Sequence, residues 1–482
     1  MEFIIRLSEK LNRHTRPRHF YFVLFLFLSF SILFQNGGMI HSEIQAKLPI
    51  YLSDQPILQT IFDSNSMEIK GSFRPRQLSY FFDCLDAKFI EWSVIHGFPH
   101  FLSLTHYLGC LLIALMMWRF LTNHLRIGRL AGLCIVSLFL FSPGPFLAAS
   151  FFRSAKIGAT VMMFITFLQI WPHLVASGES STKGSRFWQR VTLIFSLAAC
   201  AALFDEQGFF FVALASLFCW LHYHHCRNRV FFHFSLALLA ASLFLLVYNA
   251  FLAPFIVYHL HGYHPSFYYQ LSLEWDWVFS LFFLKQAVFF LIDNFRSFFG
   301  NLTQIQAICT LLLLGLLIDL KVKKASPLKS LSPTNKKRTR LSLSEPRFYF
   351  PLLMLALIVL NLIMVSRHPL IAIAGGYYWL PSLIVIVIIT SFALKILFDI
   401  GPKSRAIGRI ILIVLLLGNL AGLLGQQSGG AALSKDQRIY TVRMMYALWN
   451  IRDASYQPHP ALNNDPILAH FKKKIAAHNN GR

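Results

Sequence analysis

Apolar runs long enough for helices, parted by short polar breaks, recur from residue 19 to residue 425. A hydrocarbon core of about 30 Å takes roughly 20 residues of helix to cross. The pattern predicts eleven spans, near 19–36, 101–121, 130–148, 157–175, 191–204, 209–222, 230–252, 304–320, 348–366, 377–398 and 408–425. The fifth and sixth are short for a bilayer, so they are expected to extend, to tilt, or to dip from one face as a hairpin. The stretch from Trp275 to Phe299 is apolar but carries Lys285, Asp293 and Arg296, which reads as interfacial helices, with a twelfth span as the alternative. In the long break at 37–100, apolar residues at helical spacing in Pro56 to Phe62 and Leu78 to Phe89 predict two amphipathic helices on the membrane surface.

Composition agrees with that pattern. Hydrophobic residues make up 56% of the chain and charged ones only 13%, against about a quarter charged in soluble domains. The fold class expected is therefore all-α, a polytopic transmembrane bundle. Its organisation reads as a basic N-terminus at 1–18, a membrane domain at 19–425 with outer loops at 37–100 and 253–303, a basic loop at 321–347 and a tail at 426–482.

Charge then sets an orientation. Cytoplasmic loops retain Lys and Arg, and with residues 1–18 inside, the inside segments hold 26 of the 44 basic residues while 15 of the 21 acids fall outside. This predicts a cytoplasmic N-terminus, an outer C-terminus and a bacterial inner membrane as the location. The basic start has no small-residue cleavage site after its apolar run, so it reads as a retained anchor. A net charge of +23 invites nucleic acid as a partner, but the densest block, Lys321 to Arg340, lies between two spans and no recognition motif accompanies it. Anionic headgroups explain the block and nucleic acid is set aside. Seven scattered cysteines give no disulfide framework, and Cys84 alone falls in an outer loop. His222, His224, His225 and Cys226 read as an interfacial anchor rather than a metal site, since they lack closed-site spacing.

Candidate chemistry concentrates on the outer side. The first loop carries a third of the acids, including Asp54, Asp63 and Asp83. Arg74 and Arg76 flank Pro75, and Arg153 and Lys156 share one helix face at i and i+3. Guanidinium groups suit phosphate, because the planar fork donates in pairs and stays charged. The alternative is that these cations pair with nearby carboxylates and hold the loops together. Asp205 and Glu206 interrupt an apolar hairpin, either facing a cavity or partner at depth or forming a plain interfacial turn. His259, His261, Tyr263 and Trp275 in the third outer loop fit an aromatic belt, and with the nearby acids they also admit a divalent cation as cofactor.

These landmarks resemble the GT-C superfamily of integral membrane glycosyltransferases, which take sugar from a polyprenyl-phosphate carrier. Phe73-Arg74-Pro75-Arg76 is similar to the Tyr-Arg-Pro-Leu element of transmembrane O-mannosyltransferases, Asp205-Glu206 stands where relatives carry Lys-Glu, and Gly376-Tyr377-Tyr378-Trp379-Leu380-Pro381-Ser382 resembles an Arg-Tyr-x-Tyr-x-Pro-Ser element. The chain departs from those elements at Arg76, Asp205 and Gly376. The resemblance implies inversion at the anomeric carbon, with Asp54 or Asp63 as base. It implies Arg74, Arg76, Asp83, Arg153, Lys156, Asp205, Glu206, Tyr377 and Tyr378 as substrate-binding residues. A transporter or flippase of a lipid-linked anion, or a non-catalytic assembly protein, are the competing readings.

Overall fold

In a computed structural model of the protein, the described residues are 2–34, 42–63, 72–73, 76–142, 145, 154–175, 184–267, 380–425, 435–453 and 455–480. The chain opens with α1 (Glu2–His14) and α2 (Pro17–Phe34), which coincides with the first expected span. The first loop then builds α3 (Ser42–Tyr51), α4 (Ile57–Phe62), a two-residue strand β1 (Ser72–Phe73) and α5 (Gln77–Ile95). Next come α6 (Leu104–Arg119), α7 (Arg129–Leu140), α8 (Ala155–Val175), α9 (Ser185–Phe204) and α10 (Glu206–Cys226). They are followed by α11 (Arg229–Val247), α12 (Ala253–His261) and β2 (Ser266–Phe267). After a segment outside the described residues come α13 (Leu380–Ile400), α14 (Pro402–Gly425), α15 (Lys435–Trp449) and α16 (Pro466–Asn480).

Among the described residues, six helices are long and apolar enough to cross a membrane: Leu104–His124, Ala155–Leu174, Ser185–Phe204, Gln207–Cys226, Arg229–His261 and Pro402–Ala421. Leu236, Leu239, Leu243 and Leu246 form an exposed stripe along α11, a surface that suits lipid and not water. The architecture is that of a helical membrane protein. The expected spans at 304–320 and 348–366, the basic loop at 321–347 and residues 268–303 lie outside the described residues.

Three of the expected spans change their bounds. Helices α9 and α10 run to 20 and 21 residues, because Arg186 to Arg190 and His222 to Cys226, polar enough to end an apolar run, continue the helical backbone. The helix beginning at Arg229 does not stop at 252 but reaches His261. Pro254 lacks a backbone donor, and a π turn at Tyr248–Leu252 widens the helix just before it.

Apolar side chains gather into two cores. The larger is the spanning bundle itself, with Phe20, Phe27, Phe120, Phe139, Phe164, Phe167, Phe231 and Phe234 fully buried. The second joins segments far apart in sequence: Leu48 and Tyr51 of α3, Cys84, Ile90 and Val94 of α5, Val257 of α12, Met444 of α15, and Ile467 and Phe471 of α16. Thus the first loop and the tail form one packed unit, and β1 pairs in parallel with β2 beside them. Cys84 of α5 is buried in this second core, which pushes its thiol up to about 12.

Candidate functional site

The site is assembled where three helices begin. Arg76 occupies the N-cap position of α5, Lys156 lies in the first turn of α8, and Asp205 caps α10 by accepting from the Gln207 backbone N–H at 3.1 Å. Asp205 is 0% exposed. Lys156 Nζ donates to its Oδ1 at 2.6 Å, and Arg76 Nη2 lies 3.3 Å from its Oδ2. The Lys156 contact is a charge-assisted hydrogen bond, whereas the Arg76 contact is an ion pair without hydrogen-bond alignment. Two cations from distant segments therefore share one buried carboxylate.

Small residues permit that approach. A Cβ on Gly158 would come within 2.2 Å of the Phe204 ring, so the residue just before Asp205 packs directly on α8 two positions after Lys156. On Gly208 it would meet the Ala201 carbonyl oxygen at 2.2 Å, which is how tightly α9 and α10 fold back on each other around the Asp205 cap. The Phe204 ring also stacks on Phe82 of α5, with centroids 5.4 Å apart.

Beside this trio, Asp83 Oδ1 accepts the Ser154 backbone N–H at 2.8 Å, two residues before Lys156, while the Ser154 hydroxyl donates to the Ser79 carbonyl at 3.0 Å. Tyr51 and Ser79 hydroxyls lie 3.5 Å from Asp83 Oδ2. The acidic side of α5 thus faces the protein: Asp83, Asp86 and Glu91 are all buried. A sheet-like or helical period reports which side is polar, and here the polar side is the one that is paired.

Asp86 ties α5 to the start of α6. It accepts from the Ser103 hydroxyl at 2.6 Å and from both the backbone and the hydroxyl of Thr105 at 3.0 Å. Burial nonetheless pushes its carboxyl up to about 7. Because the folded value lies above the unfolded one, near 3.8, its contribution to stability is present below about pH 4 and is lost as pH rises through 7. Thermal midpoints measured from pH 4 to 7 are expected to show this decline in the wild type and a shallower one in Asp86→Asn. Parallel curves would contradict it.

The remaining candidate residues are distributed more widely. Asp54 is exposed and is joined to Lys474 of α16 at 2.5 Å, and that hydrogen bond holds its carboxyl below the usual range. Asp63 accepts from the Tyr263 hydroxyl at 3.0 Å. These contacts of Asp54 and Asp63 run to the last helix and to the segment after α12, whereas Arg76, Lys156 and Asp205 meet one another. Glu206 opens α10 but its side chain lies outside the described residues, as do Arg74, Arg153, Tyr377 and Tyr378. No group of three His, Cys, Asp or Glu that could hold a metal ion is found among the described residues. No protein-family model, no characterised protein and no solved structure matches the chain.

Sequence reasoning missed Ser154, Tyr51 and the α16 side chains Lys474 and His470, the last of which contacts Glu91 at 2.7 Å. Only Ser154 carries a signal, its position two residues before a buried lysine at a helix start.

Proposed function

We propose that the protein is an integral membrane glycosyltransferase of GT-C type, moving a sugar from a polyprenyl-phosphate donor to an acceptor on the extracytoplasmic face. The observation that carries this reading is the meeting of Arg76 and Lys156 at Asp205. Cations at such depth need an anionic partner, and a site that gathers two of them around one carboxylate is equipped to exchange that carboxylate for a phosphate. Asp83 and Ser154 fix the geometry from the other side. Asp54, or Asp63 next to it in the loop, is the proposed base, and polyprenyl-phosphate sugar and membrane lipid are the proposed partners.

The reading includes eleven spans with the N-terminus in the cytoplasm. Two sets of contacts support it. The first loop, the Asp205 turn, α12 and the tail pack together, as segments on one face must. At the opposite ends of the helices α1 meets the starts of α7 and α14. Cysteines engineered at Asp54 and Lys473 are expected to react with an impermeant maleimide in intact cells, and one at Lys336 only after permeabilisation. Reaction at Lys336 alone would invert the model.

Transfer itself is tested with purified protein and a panel of radiolabelled polyprenyl-phosphate sugars, with lipid movement followed in proteoliposomes. Donor-dependent sugar transfer is the expected result. Movement of the lipid without transfer from any donor would replace the proposal with the transporter reading.

A further inference from the structure

Away from this site, Arg409 sits in α14 with only 7% of its surface exposed. Its guanidinium donates to the Ser8 hydroxyl at 3.1 Å and the Ser8 carbonyl at 3.4 Å, and it lies over the Phe398 ring at 5.9 Å. Its Nε is buried with no hydrogen-bond partner. Among the described residues no carboxylate forms a salt bridge with it. Glu9 of α1 acts on this guanidinium only through space, against the opposing charge of Arg405, so a buried group held by one serine and a ring has no paired counter-charge and is short of acceptors.

The helix above it divides into three faces. At 100° per residue, Phe3, Leu7 and Leu11 form one stripe, and all three are exposed, Phe3 by 76%. Ser8 and Asn12 form the inner face, bonded to Arg409 and to the Leu130 backbone N–H. Arg6, Lys10 and Arg13 occupy the third, flanking the apolar stripe as cations do at a lipid headgroup. Arg129 and Arg405 add exposed charge around the same seam.

We infer that the seam between α1 and α14 is a binding site for the phosphate of an anionic phospholipid, with Arg409 as its inner ligand and the apolar stripe of α1 seated in the acyl chains beside it. The charge deficit at Arg409 calls for an anion, and the exposed Phe3, Leu7 and Leu11 place that anion at a lipid surface. The site stands apart from the proposed transfer chemistry and does not depend on it.

The test uses full-length protein in nanodiscs of phosphatidylcholine alone or with phosphatidylglycerol. Phosphatidylglycerol is expected to raise the wild-type Tm by several degrees, as a ligand bound only to the folded state does. Arg409→Gln should lose the increment. Where that variant fails to fold, Ser8→Asp decides, because it supplies a built-in carboxylate: it should be as stable in phosphatidylcholine as the wild type is with phosphatidylglycerol, and gain nothing from the anionic lipid. Equal wild-type Tm in the two lipids overturns the inference, as does an undiminished lipid response in Ser8→Asp. An equal rise with inorganic phosphate in phosphatidylcholine would overturn the lipid as the source.

Discussion

Asp205→Ala is expected to lower the stability of the purified protein by about 3–5 kcal/mol, because it leaves Lys156 and Arg76 buried without their shared counter-charge. The carboxylate also caps α10, and loss of a cap adds about 1 kcal/mol. Denaturation in a fixed detergent measures the change. Replacing both cations by methionine in the same variant should recover part of the loss, since a buried ion cluster exchanged for apolar side chains is often nearly neutral. A loss below about 1 kcal/mol for Asp205→Ala would mean that the cations find other anions, and the shared-carboxylate description of the site would fall with it.

Asp54→Asn is expected to slow sugar transfer by about 10² to 10⁴ while leaving donor binding in place, as removal of a general base does. The structure adds a second arm. Lys474 holds the Asp54 carboxyl low, and a carboxylate so held is a weaker base. Lys474→Gln should therefore raise transfer near neutral pH, and shift the acidic limb of the rate profile upward. Full activity in Asp54→Asn would move the proposed role to Asp63, and an unchanged profile in Lys474→Gln would show that the pair does not gate the base.

The sequence made the spans around α6, α8 and α14 legible, because an apolar run of the right length admits few other structures in a bilayer. The Asp205 turn was legible for the complementary reason, two acids between apolar helices. What remained hidden was direction. Hydrophobic periodicity assigns the polar face of α5 to water, yet Asp83 and Asp86 meet Ser154, Ser103 and Thr105, partners supplied by other segments. Arg409 carried no reading of its own, since nothing near it in the chain announces that Ser8 covers it. The Asp54–Lys474 and Glu91–His470 contacts join residues hundreds of positions apart, a separation no local pattern encodes.

That separation also orders the protein's maturation. Asp54 and Lys474 lie 420 residues apart, and the core that Leu48, Ile90 and Phe471 share is incomplete until α16 arrives. During synthesis the first loop emerges early with its apolar surfaces uncovered, and every intervening helix is inserted before the last one docks. Contacts of such long range form late and slowly. The tail is therefore the keystone of the unit it forms with the first loop. A chain shortened before Pro466 is expected to keep its membrane insertion yet expose the first loop to proteolysis, so that completion of the last helix reports on the assembly of the whole.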